Sequence, residues 1–263
     1  MENYNRIPTD SVIFEITRAA KKCGRAMLDA DRGQADVMTK SGRADFVTAY
    51  DKQNEETLKD LLPRILPGAK FVGEEGDTAR EIDRGYAFIV DPIDGTTNFI
   101  RDYHWSCVSV GLLLDGAPYI GVIYNPYTDE VFAAQKGCGA YCNGRPIRTS
   151  DNDLCDSVVV FGTSPYYQPL HRKTFDLAFS LFERALDVRR SGSAALDLCA
   201  IASGRADVFF EMILSPWDYT AGSLLIAEAG GRICQHDGSP ITFDAPCSIF
   251  ASNGRIPVSV LSV

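Results

Sequence analysis

YAFIVDPIDGTTNF, residues 86–99, runs from a short apolar stretch into two aspartates three positions apart and then a Gly-Thr-Thr corner. YAFIV reads as a buried strand that ends at Asp91. Pro92 excludes the preceding residue from the α region, so Asp91 sits extended at the strand's C-terminal end and Asp94 lies around the corner. Gly95 is free to take a positive φ, and Thr96, Thr97 or Asn98 then opens a helix or a tight turn. Amides at such a start have no intrachain partner and favour an anion. The corner thus offers carboxylates to a cation and amides to an anion, and a phosphate ester held to Mg2+ carries both charges. A D-x-x-D-G-T turn also satisfies its own amides. Taken alone, the stretch serves either a surface turn or a cation site.

Working outward, Asp10 and Ser11 start a helix to about Leu28, with Ile13, Ile16, Ala20, Cys23 and Met27 at helical spacing. A second helix starts near Thr48 to Asp51 and runs to Leu62, where Pro63 stops it. From Trp105 to Gln135, strand-like runs alternate with turn clusters, which predicts an antiparallel meander, and KGCGAYCNGRPI at 136–147 continues it. Beyond residue 150, strands (DSVVVFG, LDVRR, ADVFFEM) alternate with helices (HRKTFDLAFSLFERA, SAALDLCAIASG, DYTAGSLLIAEAGG), the last closed by a glycine C-cap. The layout predicts an α+β part over 1–150 and an α/β part over 151–263, packed as one unit.

Composition excludes several classes. The 45% hydrophobic and 23% charged content is that of a folded globular chain. A net charge of −9 argues against non-specific nucleic-acid binding, which needs Lys and Arg on phosphates. MENYNRIPTD lacks the basic start and apolar core of a secretory signal. VSVGLLL at 108–114 is far short of the roughly 20 apolar residues that span a bilayer. The eight cysteines are scattered, form no CxxC pair, and have only three histidines for company, so reduced, mostly buried thiols in a cytoplasmic protein are expected.

Two distant segments bear on the corner. FVGEEGD at 71–77 sets Glu74 and Glu75 between glycines that allow close backbone approach, though adjacent glutamates are commonly just solvated. SPWDYTAGSLLIAEAGG at 215–231 places Asp218 where an N-cap belongs, and a carboxylate there faces the positive end of a helix.

GEE at 73–75, DPIDGTTNF at 91–99 and WDYTAG at 217–222, in this order and spacing, resemble the inositol monophosphatase family. The resemblance extends over nearly the whole chain, through KSGRADFVTAYD, KGCGAYCNGRPI and RRSGSAALDLCAIASGRAD. The family belongs to the Mg2+-dependent, lithium-sensitive phosphatases, with fructose-1,6-bisphosphatases and 3′-phosphoadenosine 5′-phosphatases. It implies a layered αβαβα sandwich of the sugar-phosphatase type, a small-molecule phosphate monoester as substrate, and a homodimer, while the acidic balance and the short apolar runs argue against direct nucleic-acid contact and a membrane. By the same resemblance, Glu74, Asp91 and the Ile93 carbonyl match one metal site, and Asp91, Asp94 and Asp218 a second. Glu74 also faces a third, weaker site, so that two to three Mg2+ ions are implied. Thr96 and Asp51 match the pair that deprotonates the attacking water, and the Gly95 and Thr96 amides hold the phosphate. Asp94, the Ala194 amide and Glu211 match the contacts to the inositol ring. Lys40 matches a loop lysine near the site, and Glu75 stands behind Glu74.

The residue chemistry agrees with this assignment. Converging carboxylates without a cation repel each other, and an all-oxygen donor set favours Mg2+ or Mn2+ over zinc. Two such ions about 4 Å apart serve an in-line displacement by water without a phosphoenzyme. Glu211 favours myo-inositol 1-phosphate or a similar polyol monophosphate, its alternative being a strand-end glutamate in solvent. Histidinol phosphate, fructose 1,6-bisphosphate and 3′-phosphoadenosine 5′-phosphate are the other substrates considered. The last two carry a second phosphate and want additional cationic groups, which the sequence does not single out. The D-x-D-G-T phosphatases with an aspartyl nucleophile have one residue fewer between their aspartates. A non-enzymatic role, as a regulatory partner of transcription machinery, stays open beside catalysis, whereas a purely binding role gives no reason for so complete a carboxylate set.

Overall fold

The computed structural model describes residues 9–31, 38–39, 46–76 and 82–262. Helices α1 (Thr9–Leu28) and α2 (Ala49–Ile65), with the short hairpin β1 (Met38–Thr39) and β2 (Phe46–Val47) between them, open the chain. A seven-stranded sheet follows: β3 (Lys70–Gly73), β4 (Tyr86–Asp94), β5 (Cys107–Leu114), β6 (Ala117–Asn125), β7 (Glu130–Gln135), β8 (Gly139–Cys142) and β9 (Arg145–Ile147), in that spatial order. The one-turn helix α3 (Thr96–Ile100) interrupts it after β4. The rest of the chain is β10 (Val158–Phe161), α4 (Gln168–Phe182), β11 (Asp187–Arg189), α5 (Ala194–Ala202), β12 (Val208–Leu214), α6 (Pro216–Glu228), β13 (Arg232–Cys234) and β14 (Cys247–Ser252). Its strands form a five-stranded sheet of order β11-β10-β12-β14-β13. Among the described residues no helix is long and apolar enough to cross a membrane.

Side-chain periodicity stacks these elements in five layers. Phe88 and Val90 of β4 pack with Ile16, Ala20 and Met27 of α1 and Leu58 and Leu62 of α2. The alternate residues Ala87 and Ile89 face the other way, toward Trp217 of α6. A central core joins both sheets through α5 and α6: Ile123 and Phe132 on one side, Val160, Phe209 and Ile249 on the other, and Leu198 and Leu225 between. Val159, Val208 and Phe210 carry the opposite face of the second sheet, covered by Leu177 and Leu181 of α4. The order is helices, sheet, helices, sheet, helix, which is the αβαβα sandwich.

Two expectations about helix ends change. Helix α2 continues past Pro63 to Ile65. Pro63 falls in the last turn, where its missing N–H removes a single ladder bond and Leu66 N still reaches Leu62 O at 3.1 Å. Helix α6 begins at Pro216 with Ser215 as its N-cap, so Asp218 is the third helical residue rather than the cap. Its carboxylate accepts from the Ser215 N–H at 2.8 Å, the reciprocal half of a capping box.

Candidate active site

Strand register brings the first acids together. Strands β3 and β4 are parallel with Gly73 opposite Val90, so the residues that follow, Glu74 and Asp91, emerge side by side at one sheet end. Asp91 continues the face of Ala87 and Ile89, which α6 covers, and α6 delivers Asp218 there from its first turn. A register shift between Asp91 and Asp94 turns the chain, and Gly95 takes φ +86°, a left-handed conformation that starts α3. Ligand oxygens of Asp91, Asp94 and Asp218 lie within 4.8 Å of one another.

These carboxylates are held by donors without being neutralised. Asp91 accepts from the Ile93 N–H at 2.9 Å. Asp94 accepts from the Ala195 N–H at 2.9 Å and from the Ser193 hydroxyl, at the N-terminus of α5. No arginine or lysine among the described residues forms an ion pair with the three aspartates. Burial, then the negative charges of Glu74, Asp94 and Asp218, pushes Asp91 well above the usual carboxylate range. Burial followed by the charge of Asp94 does the same to Asp218. Burial raises Asp94 too, opposed by its hydrogen bonds to α5. A buried like-charge cluster whose donors are all oxygen fits a hard divalent cation.

Helix α2 lies beneath the corner with one polar face. Asp51, Asn54 and Glu55 recur at helical spacing and are buried with Leu58 and Leu62. The Thr96 hydroxyl is 3.2 Å from Asp51 Oδ1 and 3.2 Å from the Ile93 carbonyl. Asn54 Nδ2 donates to the Pro92 carbonyl at 3.4 Å. Glu55 accepts from the Glu75 N–H at 2.7 Å, and its carboxylate fills the space where Gly73 or Gly76 would carry a Cβ. The glycines around Glu74 and Glu75 thus permit the close approach expected of them, with Glu55 as the approaching group.

Glu211 sits opposite. Strands β10 and β12 are parallel with Phe161 opposite Phe210, so Gly162 adjoins Glu211, which occupies the volume of a side chain at 162. Glu211 is only 7% exposed, which rules out the solvated alternative, and its Oε1 accepts from the Ser164 N–H at 2.7 Å and hydroxyl at 3.2 Å. Burial raises its carboxyl to about 7, against the lowering by Ser164. A carboxyl with a raised folded pKa contributes stability that is complete below about 4.5 and is lost as pH rises through about 7. Glu211→Gln removes that titration. In EDTA, the melting temperature of the variant is expected to rise above that of wild type progressively between pH 4.5 and 7. The gap corresponds to at most about 3 kcal/mol. A pH-independent difference in thermal melts would show that Glu211 is ionised in the folded protein throughout.

A cavity of about 420 Å3 connects these groups, lined by Glu74, Asp91, Asp94, Thr96, Asp218 and Glu211 among others. Ile93, Gly95 and Ala194 also border it, and the Ala194 amide lies beside Asp94. Glu75 is half-buried behind it, and Lys40 lies outside the described residues. Sequence reasoning gave no role to four residues found here. Asn54 and Glu55 look like solvated helix positions, Ser164 has no local motif, and Arg190 in RRSGSAA lines the cavity as a cation. Only the pair of arginines ahead of a glycine hinted at the last.

The sequence profile of the inositol monophosphatase family matches residues 9–260. The chain is 38% identical over 249 residues to an inositol-1-monophosphatase of Synechocystis, covering 92% of this chain and 85% of that protein. It is 34% identical over 247 residues to Nus factor SuhB of Escherichia coli, covering 93% and 92%. The solved inositol monophosphatase of Anabaena superposes with a TM-score of 0.84 at 35% identity, covering 96% of this chain and 94% of that one. Matched from end to end in sequence and in fold, the chain belongs to the inositol monophosphatase family of phosphatases.

Proposed function

We propose that the protein is a Mg2+-dependent phosphomonoesterase that hydrolyses inositol monophosphates, myo-inositol 1-phosphate foremost, in the cytoplasm. The observation that carries this reading is an un-neutralised cluster of the buried Asp91 and Asp94 and the partly buried Asp218, lining one cavity with Thr96, whose hydroxyl is bonded to Asp51. Glu74, Asp91 and the Ile93 carbonyl would hold one ion, and Asp91, Asp94 and Asp218 another, with Glu74 also facing a third. When bound, the ions supply positive charge that offsets the phosphate oxygens and make water acidic enough to lose a proton near neutral pH. Mn2+ has the same donor preference and can replace Mg2+.

The chain's own groups then have defined tasks. The Gly95 and Thr96 amides, at the start of α3, orient the phosphate. Thr96 Oγ gives its hydrogen to Asp51 Oδ1 and accepts one from the attacking water, so the proton leaves the water in two short transfers. Asp94, the Ala194 amide and Glu211 hold the hydroxyls of the leaving alcohol, and the Ser164 donors keep Glu211 aimed into the cavity.

The test is a phosphate-release panel over inositol, sugar, histidinol and nucleotide phosphates, with and without Mg2+. Activity is expected to vanish in EDTA and to return with Mg2+ or Mn2+. Saturating Mg2+ at about 100 times its Kd should stabilise the fold by about 2.7 kcal/mol in thermal melts. Wild-type hydrolysis in EDTA would sink the metal reading. Histidinol phosphate outpacing every inositol phosphate would sink the substrate while leaving the mechanism.

We also propose a homodimer. Phe175, Phe179 and Phe182 lie on one side of α4, with Leu186 beyond its end, and each is half to two-thirds exposed. An exposed aromatic patch of that kind favours a second copy of the chain. Sedimentation equilibrium should give twice the chain mass, and Phe179→Glu should return it to one.

A further inference from the structure

The polar face of α2 holds a carboxylate that the proposed hydrolysis does not use. Glu55 lies one turn beyond Asp51, is 6% exposed, and enters the loop that follows β3. Its Oε2 accepts from the Glu75 N–H at 2.7 Å. A Cβ at Gly73 would overlap the same Oε2, and a Cβ at Gly76 would stand 2.9 Å from Oε1. One carboxylate therefore lies against both glycines of GEEG and bonds to the backbone between them. Neither glycine takes a left-handed φ, unlike Gly95 at +86°. What glycine supplies at 73 and 76 is room for Glu55 rather than a special turn.

This contact bears on Glu74 through the chain. Pairing of β3 with β4 fixes the backbone as far as Gly73, opposite Val90. The next restraint comes from Glu55. The Glu75 N–H belongs to the rigid peptide plane that follows Glu74, so the direction of that N–H sets the ψ of Glu74. Glu74 is thus bracketed by strand pairing on one side and by the Glu55 carboxylate on the other. Glu55 itself is not one of the residues that line the cavity, whereas Glu74 is. It touches the backbone that carries a proposed ligand, not the place where an ion would sit.

We propose that Glu55 is a positioning residue: it sets the backbone of Glu74 and thereby the affinity of the acidic cluster for the divalent cation that Glu74 holds. This rests on the metal-dependent phosphatase reading above. A carboxylate that accepts from a backbone N–H makes one of the stronger hydrogen bonds of a folded chain. Groups that orient a metal ligand from behind are worth about 10- to 100-fold in metal affinity. Asp51, on the same face of α2, serves the proton path through Thr96, so one helix governs both the water chemistry and the ion.

The test titrates Mg2+ into metal-free wild type, Glu55→Ala and Glu55→Gln, read by calorimetry and by thermal shift, with phosphate release from myo-inositol 1-phosphate alongside. Glu55→Ala is expected to weaken Mg2+ binding about 10- to 100-fold and to raise the half-saturating Mg2+ for activity in step, with kcat at saturating Mg2+ near that of wild type. Glu55→Gln keeps an oxygen for the Glu75 N–H and loses the charge, so it should retain most of the affinity. Gly76→Ala leaves Glu55 in the chain and sets a methyl group against Oε1, the movable end of that side chain. It should weaken Mg2+ binding as well, and adding it to Glu55→Ala should cost nothing further. Equal Mg2+ affinity in Glu55→Ala and wild type overturns the proposal. A Glu55→Gln as weak as Glu55→Ala also overturns it, because charge rather than position would then be what counts. Where melts in EDTA show that Glu55→Ala does not fold, Gly76→Ala decides, and unchanged Mg2+ affinity there overturns the proposal. Wild type that binds no Mg2+ removes the metal reading itself, and the role of Glu55 with it.

Discussion

Asp94→Asn is expected to lower kcat by roughly 10^3-fold or more, the several kcal/mol that a correctly held divalent ion contributes to a phosphoryl-transfer transition state. The substitution is nearly isosteric, so the loss follows from charge and donor direction. The Ala195 N–H points at Asp94 Oδ2 at 2.9 Å and requires an acceptor there. The asparagine must turn its oxygen to that N–H, which leaves its NH2 facing Asp91 and Asp218, where a cation would sit. Two readouts of opposite sign separate this effect from misfolding. Without metal, the variant removes one charge from a buried like-charge cluster, so its melting temperature should equal or exceed that of wild type. With Mg2+, its thermal shift should shrink. Phosphate release and thermal melts in EDTA and in Mg2+ check both. An Asp94→Asn enzyme within tenfold of wild type, or one that melts lower in EDTA, would show that Asp94 serves the fold rather than the ions.

Much of this site was legible because it is local. Pro92 dictates the extended Asp91, Gly95 the turn, and the threonines the short helix, all within nine residues. The helices around Ala194 and Asp218 announced themselves through small residues and a glycine stop. What stayed hidden depends on register and on packing. Glu74 stands beside Asp91 only because Gly73 pairs with Val90 across a parallel ladder, and no neighbouring residue encodes that pairing. Asn54 and Glu55 are polar residues on a helix, which in sequence looks like a solvated face. They are buried because the DPIDG and GEEG segments, far along the chain, cover them.

The unread elements have similar causes. Strand β14, CSIFAS, lies between β12 and β13 in the second sheet, yet it follows a turn-rich stretch and is six residues long. It offers neither clean alternation nor a hairpin signal. In the sequence, Pro216 and Trp217 ahead of Asp218 make it look like the N-cap. The structure starts the helix at Pro216, where a proline loses no ladder bond, and Asp218 moves to the third position. That shift matters for function: the carboxylate is tied to the Ser215 N–H through one oxygen and keeps the other for the cavity.

Thr96→Ala is expected to lower kcat by about 10^2- to 10^4-fold, the range for loss of a positioned proton acceptor, with KM and the Mg2+-induced thermal shift near those of wild type. The Thr96 hydroxyl carries one hydrogen, shared between Asp51 Oδ1 and the Ile93 carbonyl at equal 3.2 Å distances, so its lone pairs remain for a water in the cavity. Alanine removes the relay and leaves every carboxylate in place. Thr96→Ser keeps the hydroxyl and should retain most activity, which separates the relay from packing of the methyl group. Asp51→Asn should cost as much as Thr96→Ala, because an amide cannot take the proton that Thr96 passes on. It also weakens the bond from the Thr48 N–H, 2.7 Å from Asp51 Oδ2, so its stability is measured alongside. The double variant decides whether the two act as one unit. If a single proton path runs through both, Thr96→Ala with Asp51→Asn loses no more than either change alone. Additive losses in kcat, or a raised KM in Thr96→Ala, would show that the two residues act separately and that water is deprotonated elsewhere.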